Sequence, residues 1–450
     1  MANMAWNSTM NTGDIQGMLR AKNEDGGYKI PYLVVVDSFH SETVNFADLV
    51  LPDTTYLERF DAISMLDRPI SEPDSPCDSI RYPVIEPDRN VRPWQEVLVD
   101  LAGRLGFPAF TDDQGQPKYA GYTDFISRWE KAPGIGFLAG WRGERGEKSM
   151  RGEPNPDQWE RYRENQCFFQ HHLPENQRFY RFANRDYLEW AKEVGFNATA
   201  EPILMELYSE TLQRFRLAGQ GLYDGPMPTD AQDKQRLVDY FDPLPIWYLS
   251  LEESAVSEQA YPFHAVNQRP MHMYHSWDSQ NAWLRQITAQ NYLYMNRGRA
   301  EQLGIADESW VWVESHNGRI RVQVKLMEGC QSDTVWTWNA IGKQSGAWGL
   351  SADAPESRRG FLMNHLISEL LPPGSGERRI TNSDPVTGQA AWYDLKVKIT
   401  PATDGADCSW PEFDTIQPFP GQAESPGELR YQTHEAVNLR RSLKDILTRS

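Results

Sequence analysis

Hydrophobic and polar positions change their spacing from one part of this chain to the next. Near the start, Leu33-Val34-Val35-Val36-Asp37 is a short, continuous, β-branched run, the pattern of a fully buried parallel strand. A second apolar run, Leu49-Val50-Leu51, stops at Pro52. Pro93 opens a helix through Leu105, since proline suits a first helical turn. Val97, Leu98, Leu101 and Leu105 recur at helical spacing on it, and Gly106 ends it. Strand, crossover and helix imply a partial doubly wound α/β domain over residues 1–110, entered through a polar loop at residues 1–30.

Residues 111–255 lose clean periodicity. Gly134, Gly136, Gly140, Gly143 and Gly146 crowd one stretch, and Trp, Tyr, Pro and charges dominate the rest. Helices are expected near Asp186–Val194 and Pro202–Leu217. The segment reads as an irregular insertion whose loops cover a cleft, because its aromatic content is too high for a disordered linker. Residues 256–405 turn β-rich. Asn296 caps a short helix through Gln302, with Ala300 and Leu303 inward and Gly304 at its end. Ser309–Ser315 alternates, Asn317-Gly318 favours a two-residue type I′ turn, and Arg319–Leu326 alternates again. Strands follow at Thr334–Trp338 and Asp394–Ile399. These short strands predict a compact C-terminal β-barrel. Residues 406–450 form a Pro-rich polar tail lying over the surface or on a partner, with a final helix at Leu439–Leu447. No internal repeat is visible.

At 450 residues the chain has room for two to four domains of roughly 100–200 residues. Its net charge of −18 and pI near 5.0 disfavour nucleic acid as a partner. No run approaches the ~18 apolar residues of a membrane helix, and Met1 opens no signal-peptide pattern. Cys77, Cys167, Cys330 and Cys408 are scattered, with no C-x-x-C pair, so free thiols in a reducing compartment are the default. Many of the 16 Trp stand beside polar residues, as in Trp277-Asp278 and Trp338-Asn339. That suits ligand-lined surfaces, and equally a Trp-rich core.

The candidate chemistry begins where the first strand ends. Asp37, Ser38, His40 and Thr43 follow it, and an open α/β sheet presents polar groups to nucleotide-like ligands at such a strand end. A carboxylate there suits guanine, accepting from its N1–H and its exocyclic amine together. From Asp37 to Pro52 the chain resembles the D-x-F-x-x-E-T-x-x-x-A-D-x-V-L-P signature of molybdopterin oxidoreductases of the dimethyl-sulfoxide-reductase superfamily. Further on, Arg269-Pro270-Met271-His272-Met273-Tyr274-His275-Ser276 resembles the R-x(5)-H-[ST] element of that family's molybdopterin-dinucleotide-binding barrel, with Trp277 beside it. There an Arg and a His-Ser pair approach the pterin and its pyrophosphate, and a guanidinium is apt for a pyrophosphate. His272 and His275 could equally be ordinary surface imidazoles on a strand. Asn296 to Asp307 resembles N-x-x-x-A-x-x-L-G-I-x-D, departing at Glu308 and Ser309, where the family usually has Gly and Asp. Asn364-His365-Leu366 and Asp384–Gly388, followed by Tyr393, resemble the segments that close over the pterin. Within the family, Leu51-Pro52-Asp53-Thr54-Thr55-Tyr56-Leu57-Glu58-Arg59 and the phrase from His275 to Asn281 are most similar to subunits acting on inorganic sulfur species: sulfite dehydrogenases and thiosulfate or polysulfide reductases.

The resemblance implies a C-terminal six-stranded β-barrel, a molybdenum bis(molybdopterin guanine dinucleotide) cofactor and oxygen-atom or two-electron transfer on sulfite, thiosulfate or polysulfide. It implies an iron–sulfur electron-transfer subunit as partner and leaves room for a quinone-reactive membrane anchor subunit. In the family the Asp37 signature lies far from the N-terminus. The chain is therefore expected to be the C-terminal part of a catalytic subunit and inactive alone, with a [4Fe-4S] cluster expected in the missing N-terminal part and the molybdenum ligand not identifiable. The candidate cofactor contacts are Asn3, Trp6 and Asn7, then Asp37, Ser38, His40 and Thr43, then Arg269, His275, Ser276 and Trp277, and finally Asn364 and Tyr393. Residues 1–10 and 268–281 are expected to converge on one cleft. The location expected is cytoplasmic or membrane-associated through partners, with periplasmic export by an upstream signal left open. The rival readings are weaker: no G-x-S-x-G elbow supports a hydrolase, and no G-x-G-x-x-G follows Val36 for a nicotinamide enzyme. A non-catalytic cofactor-binding or assembly module remains as the alternative.

Overall fold

The computed structural model describes residues 9–64, 77–132, 135–136, 157–170, 184–200, 208–273, 281–288, 290–339, 341–342, 358–372, 381–390 and 395–410. The chain divides into two compact units: residues 1–50, 213–242 and 246–450 form one, and residues 51–212 and 243–245 the other. The expected first domain of residues 1–110 is thus shared between them from Leu51 onward.

The first unit opens with α1 (Thr12–Arg20), β1 (Val34–Asp37) and β2 (Leu49–Pro52). β1 and β2 form a two-stranded sheet. Val35 and Asp37 are buried while Val34 is 44% exposed. The expectation of a fully buried strand is therefore corrected: the run buries one face, as an alternating strand does.

The second unit holds β3 (Asp61–Ser64), β4 (Cys77–Arg81), α2 (Trp94–Arg104), α3 (Tyr122–Arg128), β5 (Glu130–Ala132), β6 (Ile135–Gly136), α4 (Gln158–Glu164), β7 (Phe168–Gln170) and α5 (Arg185–Glu193). An antiparallel β3-β4-β7 sheet backs a small core of Ile80, Ile126, Trp159 and Tyr162. Phe60 and Tyr82 meet the Trp159 ring edge-on at 5.4 and 6.0 Å. α2 forms where Pro93 predicts, and Gly106 follows it at φ 72°. Its buried face is a different one, however. Gln95, Val99, Ala102 and Gly103 turn inward, while Leu98 and Leu101 are 49% and 46% exposed. A Cβ on Gly103 would stand 3.0 Å from Pro117, so the small residues mark the face of close approach. α5 is capped by Asn184, which accepts from the Tyr187 N–H at 3.0 Å.

The chain then returns through α6 (Glu210–Gly219), α7 (Ala231–Tyr240) and α8 (Leu251–Ala255). α7 has no apolar stripe that announces it, but Asp230 caps it by accepting from the Gln232 and Asp233 N–H groups. The rest is a closed barrel of β8 (Phe263–Gln268), β9 (Leu293–Asn296), β10 (Trp310–Glu314), β11 (Arg319–Met327), β12 (Thr334–Trp338) and β13 (Leu395–Pro401), in the order β10-β11-β9-β12-β8-β13. Two further helices, α9 (Ala282–Arg285) and α10 (Arg297–Gln302), lie between its strands. The six-stranded barrel is as expected, and alternation explains its core: Val311, Val313, Ile320, Val322, Val324, Val335 and Val397 point inward from one face of their strands. Asn296 caps α10, accepting from the Arg299 N–H at 3.0 Å.

The β10–β11 connection differs from expectation. Glu314 pairs with Arg319, so four residues rather than two form the loop, and neither Asn317 nor Gly318 has a positive φ. The Ser315 hydroxyl accepts from the Asn317 and Gly318 N–H groups at 3.1 and 3.3 Å and shapes the turn instead. Gly318 is there for space: a Cβ on it would stand 2.9 Å from the His365 carbonyl oxygen. The start of the tail is fixed by Arg321, which is 1% exposed. It donates to the carbonyls of Cys408 at 2.7 Å and Ala406 and to Asp404 at 2.9 Å, with its guanidinium 4.2 Å from the Trp310 ring centroid. The expected helix at Leu439–Leu447 lies outside the described residues.

Candidate cofactor site

Buried polar groups collect at three places in the first unit. The first is a 3-10 turn, Met363–His365. Phe361, Met363, Leu366 and Ile367 anchor it in the barrel core, which leaves Asn364 to face the start of the chain. The Asn364 amide donates to the Thr9 carbonyl at 3.2 Å, and the Asn11 N–H donates to the Ile367 carbonyl at 2.8 Å. From the hairpin, the Ser315 hydroxyl donates to the Leu366 carbonyl at 2.6 Å. Residues 355 apart in sequence are thereby joined. His365 lies beside Trp410, ring centroids 4.5 Å apart, and burial pushes its imidazole down to about 3. It is neutral at any ordinary pH. Nearby in sequence, Thr9 Oγ1, Asn11 Oδ1 and Gln16 Nε2 are buried polar atoms with no partner among the described residues.

The second place is where the parallel strands β8 and β12 end side by side, Gln268 opposite Trp338. Carboxyl ends of parallel strands are a common ligand position. The Asn339 N–H donates to the Gln268 carbonyl at 2.8 Å, and the Asn291 amide to the Trp338 carbonyl at 3.0 Å. Arg269 leaves this edge exposed to solvent, while Pro270 and Met273 turn inward. His272 Nε2 and Asn339 Oδ1 are buried there, again with no partner among the described residues. The third place is the turn after β1. Asp37, 7% exposed, accepts from the Phe39 N–H at 3.1 Å and the Ser41 hydroxyl at 2.8 Å. Burial pushes its carboxyl up. The Ser38 N–H donates to it as well. Ser38 and His40 are half-buried beside it, and Thr43 is buried at the start of the following 3-10 turn.

The Asp384–Gly388 turn is tied from several sides. Asp384 is part-buried, which alone would raise its carboxyl. Donation from Thr387, from the Tyr248 hydroxyl at 3.0 Å and from the Val386 N–H outweighs this and lowers it. Arg236 on α7 donates twice to the Pro385 carbonyl, at 3.0 and 2.6 Å.

Of the sequence candidates, Asp37, Ser38, His40, Thr43, Arg269 and Asn364 are placed as above. Asn3, Trp6, Asn7, His275, Ser276, Trp277 and Tyr393 lie outside the described residues, as does most of the proposed convergence of residues 1–10 with 268–281. Of the described residues there, Thr9 meets Asn364 and Asn11 meets Ile367. The sequence marked Asn339 only as the polar neighbour of Trp338 and singled out none of Thr9, Asn11 and Gln16 as candidate contacts. A polar residue before a helix or after a strand carries no mark of burial, so only Asn11, at φ 53°, is unusual in its backbone. Among the described residues no three His, Cys, Asp or Glu side chains gather to hold a metal ion.

These features define a mixed α/β protein with a closed barrel whose Asn364 turn is bonded to the N-terminal segment, and with buried polar atoms near Thr9 and at the ends of β8 and β12 that have no partner among the described residues. The family models match in the same order. Residues 4–104 match the molybdopterin oxidoreductase family and residues 263–382 the Molydopterin dinucleotide binding domain. The chain is 53% identical over 431 residues to a sulfite dehydrogenase subunit of Allochromatium vinosum, covering 95% of this chain and 44% of that protein. It belongs to the molybdopterin oxidoreductase family, and spans less than half the length of that curated relative. Acetylene hydratase from Pelobacter acetylenicus shares the fold at a TM-score of 0.50 and 18% identity, over 89% of this chain and 44% of that one.

The polar set fits the family's cofactor. A pterin is edged with both hydrogen-bond donors and acceptors. The buried atoms left unpartnered among the described residues include a donor, Gln16 Nε2, and acceptors, Asn11 Oδ1 and Asn339 Oδ1. Buried polar atoms ordinarily have a hydrogen-bond partner, and a pterin edge offers both kinds.

Proposed function

We propose that this chain is part of an oxidoreductase that holds molybdopterin guanine dinucleotide and acts on an inorganic sulfur oxyanion, sulfite first among them. The observation that carries the reading is the 53% identity to a sulfite dehydrogenase subunit across 95% of this chain. The buried polar atoms of Thr9, Asn11, Gln16 and Asn339, without a partner among the described residues, support it independently. When bound, the cofactor supplies two-electron chemistry at molybdenum, and the protein supplies binding and orientation. Arg269 neutralises pyrophosphate charge at the ends of β8 and β12. Asp37 receives the guanine N–H groups, with Ser38 and His40 beside it. Asn364 and the neutral imidazole of His365 hold the segment at the barrel edge without adding charge next to an anionic cofactor.

The relative is named as one subunit of its enzyme, which supports partner subunits for this chain too. We propose an iron–sulfur subunit as the electron acceptor, with any attachment to a membrane made through partners. Purification of the tagged chain from its native cells tests this, with molybdenum, iron and guanine nucleotide analysis and a dye-linked assay of sulfite oxidation beside thiosulfate and polysulfide reduction. Sulfite turnover with co-purifying iron is expected. Turnover of only thiosulfate or polysulfide would move the substrate, and absence of molybdenum and guanine nucleotide would overturn the reading.

A further inference from the structure

A second cleft, of about 890 Å³, opens at the other end of β8. This lies within the ~300–1,000 Å³ usual for small-molecule sites. β8 separates it from Arg269: Phe263 at the amino end of the strand lines the cleft, and Arg269 follows the carboxyl end. At the rise of an extended strand, that is roughly 17–20 Å. Neither Asn364 nor Asp37 lines it.

Its walls have different chemistry. One is apolar and aromatic: Tyr261, Pro262 and Phe263 before and at the start of β8, with Leu303 after α10. The other carries Arg319 at the start of β11 and Lys398 on β13. Arg299 belongs to both, its guanidinium lying 5.3 Å from the Phe263 ring centroid. Arg319 lies in the same manner 4.4 Å from the Trp312 ring centroid. Stacking on a ring holds a guanidinium in a set plane, so less freedom is lost when it forks onto an oxyanion. The one carboxylate among the lining residues is Glu314, 3.6 Å from Lys398 Nζ. Three cations against one carboxylate form a local positive focus on a chain whose net charge is −18.

We propose that this cleft binds a mononucleotide. A flat base fits against the Tyr261 ring and Pro262, since Phe263 is 2% exposed and belongs to the barrel core, and a phosphate or diphosphate fits Arg319 and Lys398. Glu314, 3.6 Å from Lys398 Nζ, is a suitable acceptor for ribose hydroxyls, a role carboxylates take at other nucleotide sites. A simple oxyanion would use the cationic wall alone and leave the aromatic wall and most of the volume empty. The residues that would hold the ligand, Tyr261, Glu314, Arg319 and Lys398, are none of the proposed cofactor contacts, although Ser315, Asn317 and Gly318 of the same lining also brace the Asn364 turn.

The test is calorimetric titration of the full chain, in its native assembly, with ADP and separately with pyrophosphate. ADP is expected to bind one per chain and at least tenfold more tightly than pyrophosphate. The double variant Arg319→Gln/Lys398→Gln should weaken ADP at least tenfold, and Tyr261→Ala should remove most of the advantage of ADP over pyrophosphate. Molybdenum and guanine nucleotide content should stay unchanged in both. Photolabelling with 8-azido-ADP, mapped to the 259–263 or 299–303 peptides, gives a readout that does not rely on variants. Absence of saturable ADP binding, binding that survives the double variant, equal affinity for pyrophosphate, or labelling elsewhere would each overturn the assignment.

Discussion

Glu58, in the sulfur-branch segment from Leu51 to Arg59, gives the sharpest quantitative expectation. Its carboxylate is 4% exposed. It accepts from both terminal nitrogens of Arg89 at 2.5 and 2.8 Å, and from the Thr55 N–H at 2.8 Å and the Thr55 hydroxyl at 3.0 Å. The Arg89 guanidinium, and then the Thr55 N–H, hold the carboxyl down from 4.5 to about 2. At about 1.36 kcal/mol per pH unit this sets a ceiling of about 3.4 kcal/mol. Arg89 is 43% exposed, so solvent screening reduces the measured loss in Glu58→Gln at pH 7 to about 1–2 kcal/mol. The folded carboxyl is the more acidic one, so its stabilisation is complete above pH 4.5 and is lost as pH falls through 2. The gap between wild type and variant should therefore shrink to less than about half by pH 3. Urea unfolding at pH 7, 5, 4 and 3, followed by tryptophan fluorescence, measures it. A gap that stays constant down to pH 3, or a neutral substitution at pH 7, would refute the argument that this ion pair ties the segment together.

Three further outcomes follow from single sites. Glu308 stands at φ 60° where the family usually has glycine, so Glu308→Gly should stabilise by about 0.5–1 kcal/mol despite loss of the exposed pair with Lys325, read as a raised urea midpoint. Gly318→Ala puts a Cβ 2.9 Å from the His365 carbonyl oxygen and should cost about 1–3 kcal/mol, with weaker cofactor retention because the Asn364 turn moves. His365 is neutral because burial lowers its imidazole from 6.5 to about 3. Stability carried by its neutral form is therefore present above 6.5 and lost as pH falls toward 3, and His365→Phe should flatten the stability–pH curve in that window, measured by thermal melts.

The barrel is legible in the sequence because its strands alternate cleanly: Trp310–Glu314 and Thr334–Trp338 are bounded within a residue of where the pattern puts them. α2 is equally legible as a helix but not in its orientation. Both its faces are apolar, and the choice falls to Ala102 and Gly103, whose small size permits close packing. The hairpin departs from its pattern because Asn-Gly marks a turn without fixing its length, and here Gly318 answers to a carbonyl from a distant segment, that of His365. The candidate site is half legible. Asp37, Arg269 and Asn364 stand out through motif resemblance, whereas the contact of Thr9 with Asn364 depends on tertiary closure across most of the chain.

Asn364, beside Thr9, and Arg269, at the ends of β8 and β12, are proposed to hold molybdopterin guanine dinucleotide. The most direct test is the GMP released per chain by acid hydrolysis of the tagged protein purified from its native cells, alongside the Asn364→Ala/Arg269→Ala variant. The account predicts near-stoichiometric GMP in the wild type and a loss of roughly tenfold in the variant, the effect of about 1.4 kcal/mol. Absence of GMP in a folded wild-type protein, or equal GMP in the two, would contradict it.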